Sequence, residues 1–279
     1  MAAAEEHSMQ PSEHAPVPSA SAIPATHHRA ALQDRLEALR RRCALSEAAH
    51  HRVRQVLQAS CTALDDTSSP ADRHTVHLVL EAARIGLRSA KFTRCPPDYY
   101  AWTLEQRRAF LGDAPTVDHL CKSIVLWNTR AERPAAATDD ASSAQPSPPL
   151  YICVVLPYAH RLHAEKVAAV VRATPQLTNG QHVPRKDVKY QLAPAEACEQ
   201  LTGYTYNAVT PLGMRIAMPI LVSDALLRAV QSSGVSTFWM GGGQVDLKLR
   251  ACLWECIEVF GHRPGCSVHV ADITYPERG

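Results

Sequence analysis

The stretch Asp118-His-Leu-Cys-Lys-Ser-Ile-Val-Leu-Trp-Asn128 decides how this chain folds. Ile124, Val125, Leu126 and Trp127 form a run of branched and aromatic side chains, the composition of a β-strand. Side chains alternate along a strand, so Lys122, Ile124 and Leu126 share one face while Val125 and Trp127 take the other. A run apolar on both faces is expected to be covered on both. Lys122 then stands at the mouth of a buried layer, where a lysine either snorkels its ammonium to water or serves a site.

Outward from that strand, composition sets limits. The chain has 279 residues, enough for one large domain or a medium domain with appendages. A formal charge of +2 is too small to hold nucleic acid by bulk electrostatics, so any RNA contact needs a local patch. No apolar run approaches the length of a membrane span. The N-terminal stretch lacks a signal-peptide core, and Glu5, Glu6 and Glu13 argue against a mitochondrial presequence. The nine cysteines are scattered and odd in number, and read as reduced thiols of a cytoplasmic protein.

Three segments are expected. Residues 1–28 carry almost no large apolar side chains and read as a disordered head. Residues 29–68 read as a helix in which Leu32, Leu36, Leu39, Cys43, Ser46, His50, Val53 and Leu57 recur at alternating spacings of four and three. Arg40, Arg41, Arg42, Arg52 and Arg54 lie on its other faces. This heptad helix has three readings: packing on its own domain, a coiled-coil handle for a partner or for self-association, or an arm on RNA phosphates. Residues 69–275 form the folded domain, with a flexible insertion at 131–149 rich in Ala, Pro, Ser, Thr and Asp.

Within the domain, a helix starts at Pro70, an extended or looped segment spans 92–100, and Thr103 with Gln106 makes a capping box. The 118–128 strand is answered by one at 150–157. Further strands are expected at 187–192, 216–222, 236–240, 245–249 and 267–273, and helices at 163–173, 194–201, 224–230 and 253–260. Strands and short helices mix without strict alternation, so the fold class is α+β, a mixed sheet flanked by short helices, not a doubly wound sheet.

Two stretches carry candidate chemistry. Gly241-Gly-Gly243 follows a strand, where it either turns the chain or admits a close backbone approach. It has neither a dinucleotide fingerprint nor the Lys-Ser/Thr of a P-loop. Thr202-Gly-Tyr-Thr-Tyr-Asn-Ala-Val-Thr-Pro-Leu-Gly213 is a loop able to offer backbone N–H donors to a carbonyl or phosphate oxygen, or to serve structure alone. Cys252, Cys256, His262, Cys266 and His269 lack the tight ligand pairs of a zinc site. Cys121 adjoins Lys122 but points to the opposite face of the strand.

Taken in order, Leu120-Cys-Lys-Ser-Ile-Val-Leu126, Ile152-Cys-Val-Val-Leu-Pro157, Thr202-Gly-Tyr204, Thr210-Pro-Leu-Gly213, Pro219-Ile-Leu-Val222 and Trp239-Met-Gly-Gly-Gly243 resemble the YbaK/prolyl-tRNA synthetase-associated domain family. Each motif alone is weak; their shared order is the signal. Phe92 to Tyr100 and Gly243-Gln-Val-Asp246 look like the eukaryotic stand-alone branch. The resemblance covers roughly residues 70 to 275 and implies a trans-editing enzyme that hydrolyses the ester of mischarged aminoacyl-tRNA, Cys or Ala on the proline tRNA. It places the family's essential lysine on Lys122, followed by the small residue Ser123. Its Gly-x-x-x-Pro loop falls on Asn207, Ala208, Val209, Thr210 and Pro211, with Asn207 where glycine is usual. Asn tolerates positive φ next best to glycine. The binding residues implied are this loop with Gly203, Tyr204, Gly241, Gly242, Gly243 and Asp246. Gly241 stands where bacterial members carry serine. Lys122 and the N–H groups of Ala208 to Thr210 would polarise the ester carbonyl.

The resemblance implies no metal and no organic cofactor. The expected partner is the 3′ acceptor end of an aminoacyl-tRNA, with residues 29–60 as a handle for a synthetase assembly or for self-association. Two rival readings are a non-catalytic tRNA-binding scaffold of a synthetase complex, and a hydrolase for a small aminoacyl or thioester metabolite.

Overall fold

The computed structural model describes residues 70–131 and 148–275. The expected head at 1–28, the heptad helix at 29–68 and most of the insertion at 131–149 lie outside the described residues. The chain runs through α1 (Pro70–Ile85), β1 (Lys91–Arg94), α2 (Leu104–Leu111), β2 (Cys121–Asn128), β3 (Tyr151–Pro157) and α3 (Ala164–Ala173). It continues through β4 (Tyr190–Leu192), α4 (Ala195–Thr202), β5 (Ile220–Ser223), α5 (Asp224–Ser233), β6 (Thr237–Gly241), β7 (Leu247–Cys252), α6 (Leu253–Gly261) and β8 (Val268–Ala271). The fold is therefore mixed α+β.

Two sheets share the strands. The larger has the order β4-β2-β3-β5-β8, and the smaller β1-β7-β6. β2 pairs antiparallel with β3 along its length, Lys122 opposite Leu156 and Ser123 opposite Val155. β5 then joins β3 in parallel, and β8 joins β5 in parallel.

The larger sheet is covered on both faces, as the doubly apolar β2 run requires. Leu126, Ile152, Val154, Leu156 and Leu221 pack with Val167 and Val171 of α3. Cys121, Val125, Cys153, Val155 and Val222 pack with Phe238, Met240, Leu249 and Ala251 of the smaller sheet. Burying each such side chain contributes about 1.5–3 kcal/mol. A slip of one residue would exchange the two sets and drive Lys122 into the core beside the smaller sheet, so apolar patterning sets the register that presents it.

Local signals account for several boundaries. The Thr103–Gln106 capping box is formed, with Gln106 N–H donating to Thr103 Oγ1 at 3.2 Å. Ser223 caps α5 by accepting from the Ala225 N–H. Some elements depart from expectation. The strand expected at 216–222 begins only at Ile220, and Pro175–Thr178 forms a short helix. Lys91–Arg94, read as part of an extended or looped approach, is a strand, because it pairs in register with 247–250 of β7.

Candidate functional site

The site is a gap in strand pairing. One edge of β2 is occupied by β3 throughout. Its other edge meets β4 only at Leu126, Trp127 and Asn128. At the opposite end, Leu120 bridges to Trp239 of β6. Between those two attachments, residues 122–125 face a cavity of about 540 Å³, within the range of small-ligand sites. Because the cavity lies along an open edge, both alternating sets of β2 side chains reach it: Lys122 and Ile124 from one face, Ser123 and Val125 from the other. The far wall comes from the loop after α4 and the end of β6, through Tyr206, Asn207, Val209 and Gly241.

Lys122 is half-buried and makes no hydrogen bond or ion pair with a described residue. Its ammonium lies 5.9 Å from the centre of the Tyr158 ring. Burial pulls its pKa below the usual lysine value, partly opposed by the neighbouring Cys121. Ser123 is 8% exposed, and its Oγ is buried with no hydrogen-bond partner among the described residues. Leaving such a group unpaired costs about 1–3 kcal/mol. Adjacent residues thus bring an untied cation and a buried, unsatisfied hydroxyl to the wall of one cavity.

The 205–211 loop is held from behind. Asn207 has φ +67°, the left-handed conformation that Asn adopts more readily than most other non-glycine residues. Its carbonyl accepts from the Tyr100 hydroxyl at 2.8 Å. That hydroxyl in turn accepts from Lys248 Nζ at 2.5 Å. Lys248 is only 3% exposed and lies over the rings of Tyr100 and Tyr99, at 4.4 and 5.3 Å from their centres. Burial, reinforced by Arg107, pulls its pKa down to about 8 against the opposing effects of Cys95 and Asp246. Arg107 also lies over Tyr99, Tyr100 and Tyr158.

Gly241 shows why no side chain stands there. A Cβ would lie 2.3 Å from the Val209 carbonyl oxygen, so the glycine lets β6 press against the loop. The following N–H, that of Gly242, bonds to Leu247, and the N–H of Gly243 closes on the Ala208 carbonyl at 3.0 Å.

Of the residues implicated by sequence, Lys122, Ser123, Tyr204, Asn207, Val209 and Gly241 line the cavity. Gly203, Ala208, Thr210, Pro211, Gly242, Gly243 and Asp246 do not. Gly203 is the left-handed cap of α4. Ala208 is fully buried, and its N–H, expected as a donor to the ester carbonyl, already donates to the Thr205 carbonyl. Thr210 is buried and its hydroxyl accepts from the Leu212 N–H. Pro211 faces the core between the sheets, near Phe238 and Phe260. Asp246 pairs with Arg94 at 2.6 Å. Tyr204 is nearly buried and its hydroxyl donates to the Leu212 carbonyl. The N–H of Val209, by contrast, donates to no acceptor among the described residues.

The structure adds wall residues that no motif marked: Tyr158, Leu162, Leu192, Cys198 and the 81% exposed Tyr206. Tyr206 had a faint signal, as an aromatic in a Gly- and Pro-bounded loop. Cys198 is no poised nucleophile: burial raises its pKa, and burial raises that of Cys121 still more.

The fold has solved counterparts. A crystal structure of a candidate trans-editing enzyme for prolyl tRNA synthetase matches with a TM-score of 0.50 and 18% identity, over 75% of this chain and 100% of that one. An epitope-presenting scaffold protein from computational design matches with the same score, identity and coverage. A hypothetical protein matches at 0.45 and 20%, over 71% of this chain and 99% of that one. At this identity the likeness speaks for the fold, a YbaK-like one. No family model matches the chain. No curated protein matches it either. No helix among the described residues is long and apolar enough to cross a membrane.

Proposed function

We propose that this chain hydrolyses the ester bond of mischarged aminoacyl-tRNA in trans, with Cys or Ala on the proline tRNA as substrates. The observation that carries the proposal is the untied Lys122 ammonium lining a ligand-sized cavity along the open edge of β2. An aminoacyl ester is already activated, so the site has only to hold it, polarise its carbonyl and admit water. The Lys122 ammonium donates to the carbonyl oxygen and stabilises the negative charge that develops there. The Val209 N–H serves as a second donor. Water adds to the carbonyl carbon, the bond to the ribose oxygen breaks, and that oxygen takes a proton. The small Ser123 leaves room for the amino-acid end, and the exposed Tyr206 ring offers a stacking face to the terminal adenine. The matched trans-editing candidate supports the reading at the level of fold.

The test is ester loss from Cys-tRNA and Ala-tRNA, both on the proline tRNA, with intact protein and with Lys122→Ala. Loss with the first and not the second supports the reading and identifies the substrate. Absence of turnover on both, with tRNA still bound, overturns it in favour of a non-catalytic tRNA-binding role.

A further inference from the structure

We propose that the groove between α3 and the 185–191 segment is a track for the phosphate backbone of the RNA whose 3′ end enters the cavity. This rests on the aminoacyl-tRNA reading above and names the surface that reading lacks.

The groove encloses about 1000 Å³. Arg130, Lys166, Arg172, Arg185, Lys186 and Lys189 line it, against the single carboxylate of Glu165. A chain of net charge +2 has thus gathered six cations around one concavity. Among the described residues, two of the six cations have an ion-pair partner. Lys166 pairs with Asp272 at 2.7 Å. Arg185 and Glu165 are 3.4 Å apart and both largely exposed, a pair worth little. Arg130, Arg172, Lys186 and Lys189 have no ion-pair partner among the described residues. Arg172 Nε is moreover buried without a hydrogen-bond partner. Like charges held this close repel one another, and a polyanion relieves that repulsion.

The cations sit on a fixed frame. Buried Asn128, at the end of β2, donates to the Asp187 carbonyl at 3.0 Å and accepts from the Lys189 N–H at 2.9 Å. Lys166 and Arg172 project from α3, which is 10 residues, about 15 Å, long.

The groove adjoins the cavity at two places in the chain. Leu162 lines the cavity and His163 the groove; Leu192 lines the cavity and Gln191 the groove. In this proposal a strand whose end occupies the cavity continues past these residues into the basic groove. At this seam His163 stacks on Tyr275, with centres 4.2 Å apart, and Arg161 lies 5.4 Å from the same ring. Tyr275 is 46% exposed. An exposed aromatic–cation stack beside a basic track fits a nucleic acid, with bases as well as phosphates, better than an acidic peptide. A concave track also suits a strand better than a flat membrane surface.

The test is the triple variant Arg185→Glu, Lys186→Glu, Lys189→Glu in the full chain. All three side chains are exposed, so folding is retained, as a melting curve will show. Binding of uncharged proline tRNA is measured between about 50 and 200 mM salt. The variant is expected to bind at least about tenfold more weakly, with the slope of log affinity against log salt reduced by about two to three. Hydrolysis of an aminoacyl trinucleotide ending in CCA, too short to reach the groove, is expected to stay unchanged. Unaltered tRNA affinity and salt slope in the variant would overturn the proposal. So would tighter wild-type binding of polyglutamate or anionic vesicles than of tRNA. Uncharged tRNA reports on the groove without chemistry. A protein that binds through these residues yet hydrolyses nothing keeps the groove and loses the editing reading. Hydrolysis with groove-independent binding does the reverse.

Discussion

Lys122 and Lys248 are both lysines on strands, both withdrawn from water, and they meet opposite fates. Lys248 is enclosed, donates to Tyr100 and lies against two aromatic rings. Through Tyr100 it reaches the Asn207 carbonyl and steadies the loop that forms one wall of the cavity. Among the described residues Lys122 has only the Tyr158 ring as a ring or polar partner, and it lines open volume. Burial alone does not make a lysine functional. What separates the two is whether the protein itself satisfies the ammonium: Lys248 is part of the frame, and Lys122 is left for a ligand.

The largest effect that could break this contrast is on rate. Lys122→Ala should lower deacylation about 10²–10³-fold, while stability changes by no more than about 0.5 kcal/mol, because no tie is lost. Denaturation curves recorded beside the kinetics check both halves.

Lys248 should act in the other direction, on stability and through pH. Its folded pKa, about 8, lies below the unfolded lysine value near 10.4. Between these values the unfolded chain binds more protons, so stability rises with pH across that window. The gain from Lys248 is up to about 3 kcal/mol. Below pH 8 both states are protonated and the slope vanishes. Lys248→Met should remove that rise and be neutral or stabilising at pH 7, since an apolar side chain of similar size has no charge to desolvate. Urea titrations from pH 7 to 10.5 test this; an undiminished slope in the variant would assign it to other groups.

A smaller effect concerns the wall that Lys248 supports. Gly241→Ala brings a Cβ against the Val209 carbonyl, a backbone contact that no rotamer relieves. It should cost about 1–3 kcal/mol and slow deacylation by displacing the Val209 N–H. Full retention of stability and rate would mean that the loop yields without cost.

The same contrast explains what was legible in sequence. β2 and β3 declared themselves because they are apolar on both faces, and α2 did so through its capping box. Lys122 stood out as a charge at the edge of that run. β1 did not, because the four residues Lys-Phe-Thr-Arg are too short and too little buried to declare a strand without the pairing with β7. Lys248 was hidden as one polar position in an alternating strand, since its partners Tyr99 and Tyr100 lie about 150 residues away on a single helical turn. Gly241 was legible as a place of close approach, but not what it approaches. Tyr204 and Asp246 carried motif signals, yet one bonds inward to Leu212 and the other is held by Arg94. Tyr158, Leu192 and Cys198 reach the cavity only through the gap between β4 and β6 along β2, a feature of the assembled sheets.

The most direct test of the central claim is to label both lysines at once. Limiting amine acylation at pH 7, read by peptide mass spectrometry, should modify Lys122 well ahead of Lys248. A non-hydrolysable amide analogue of aminoacyl-adenosine should protect Lys122 and leave the pattern elsewhere unchanged. Equal labelling of the two, or no protection of Lys122, would contradict the account.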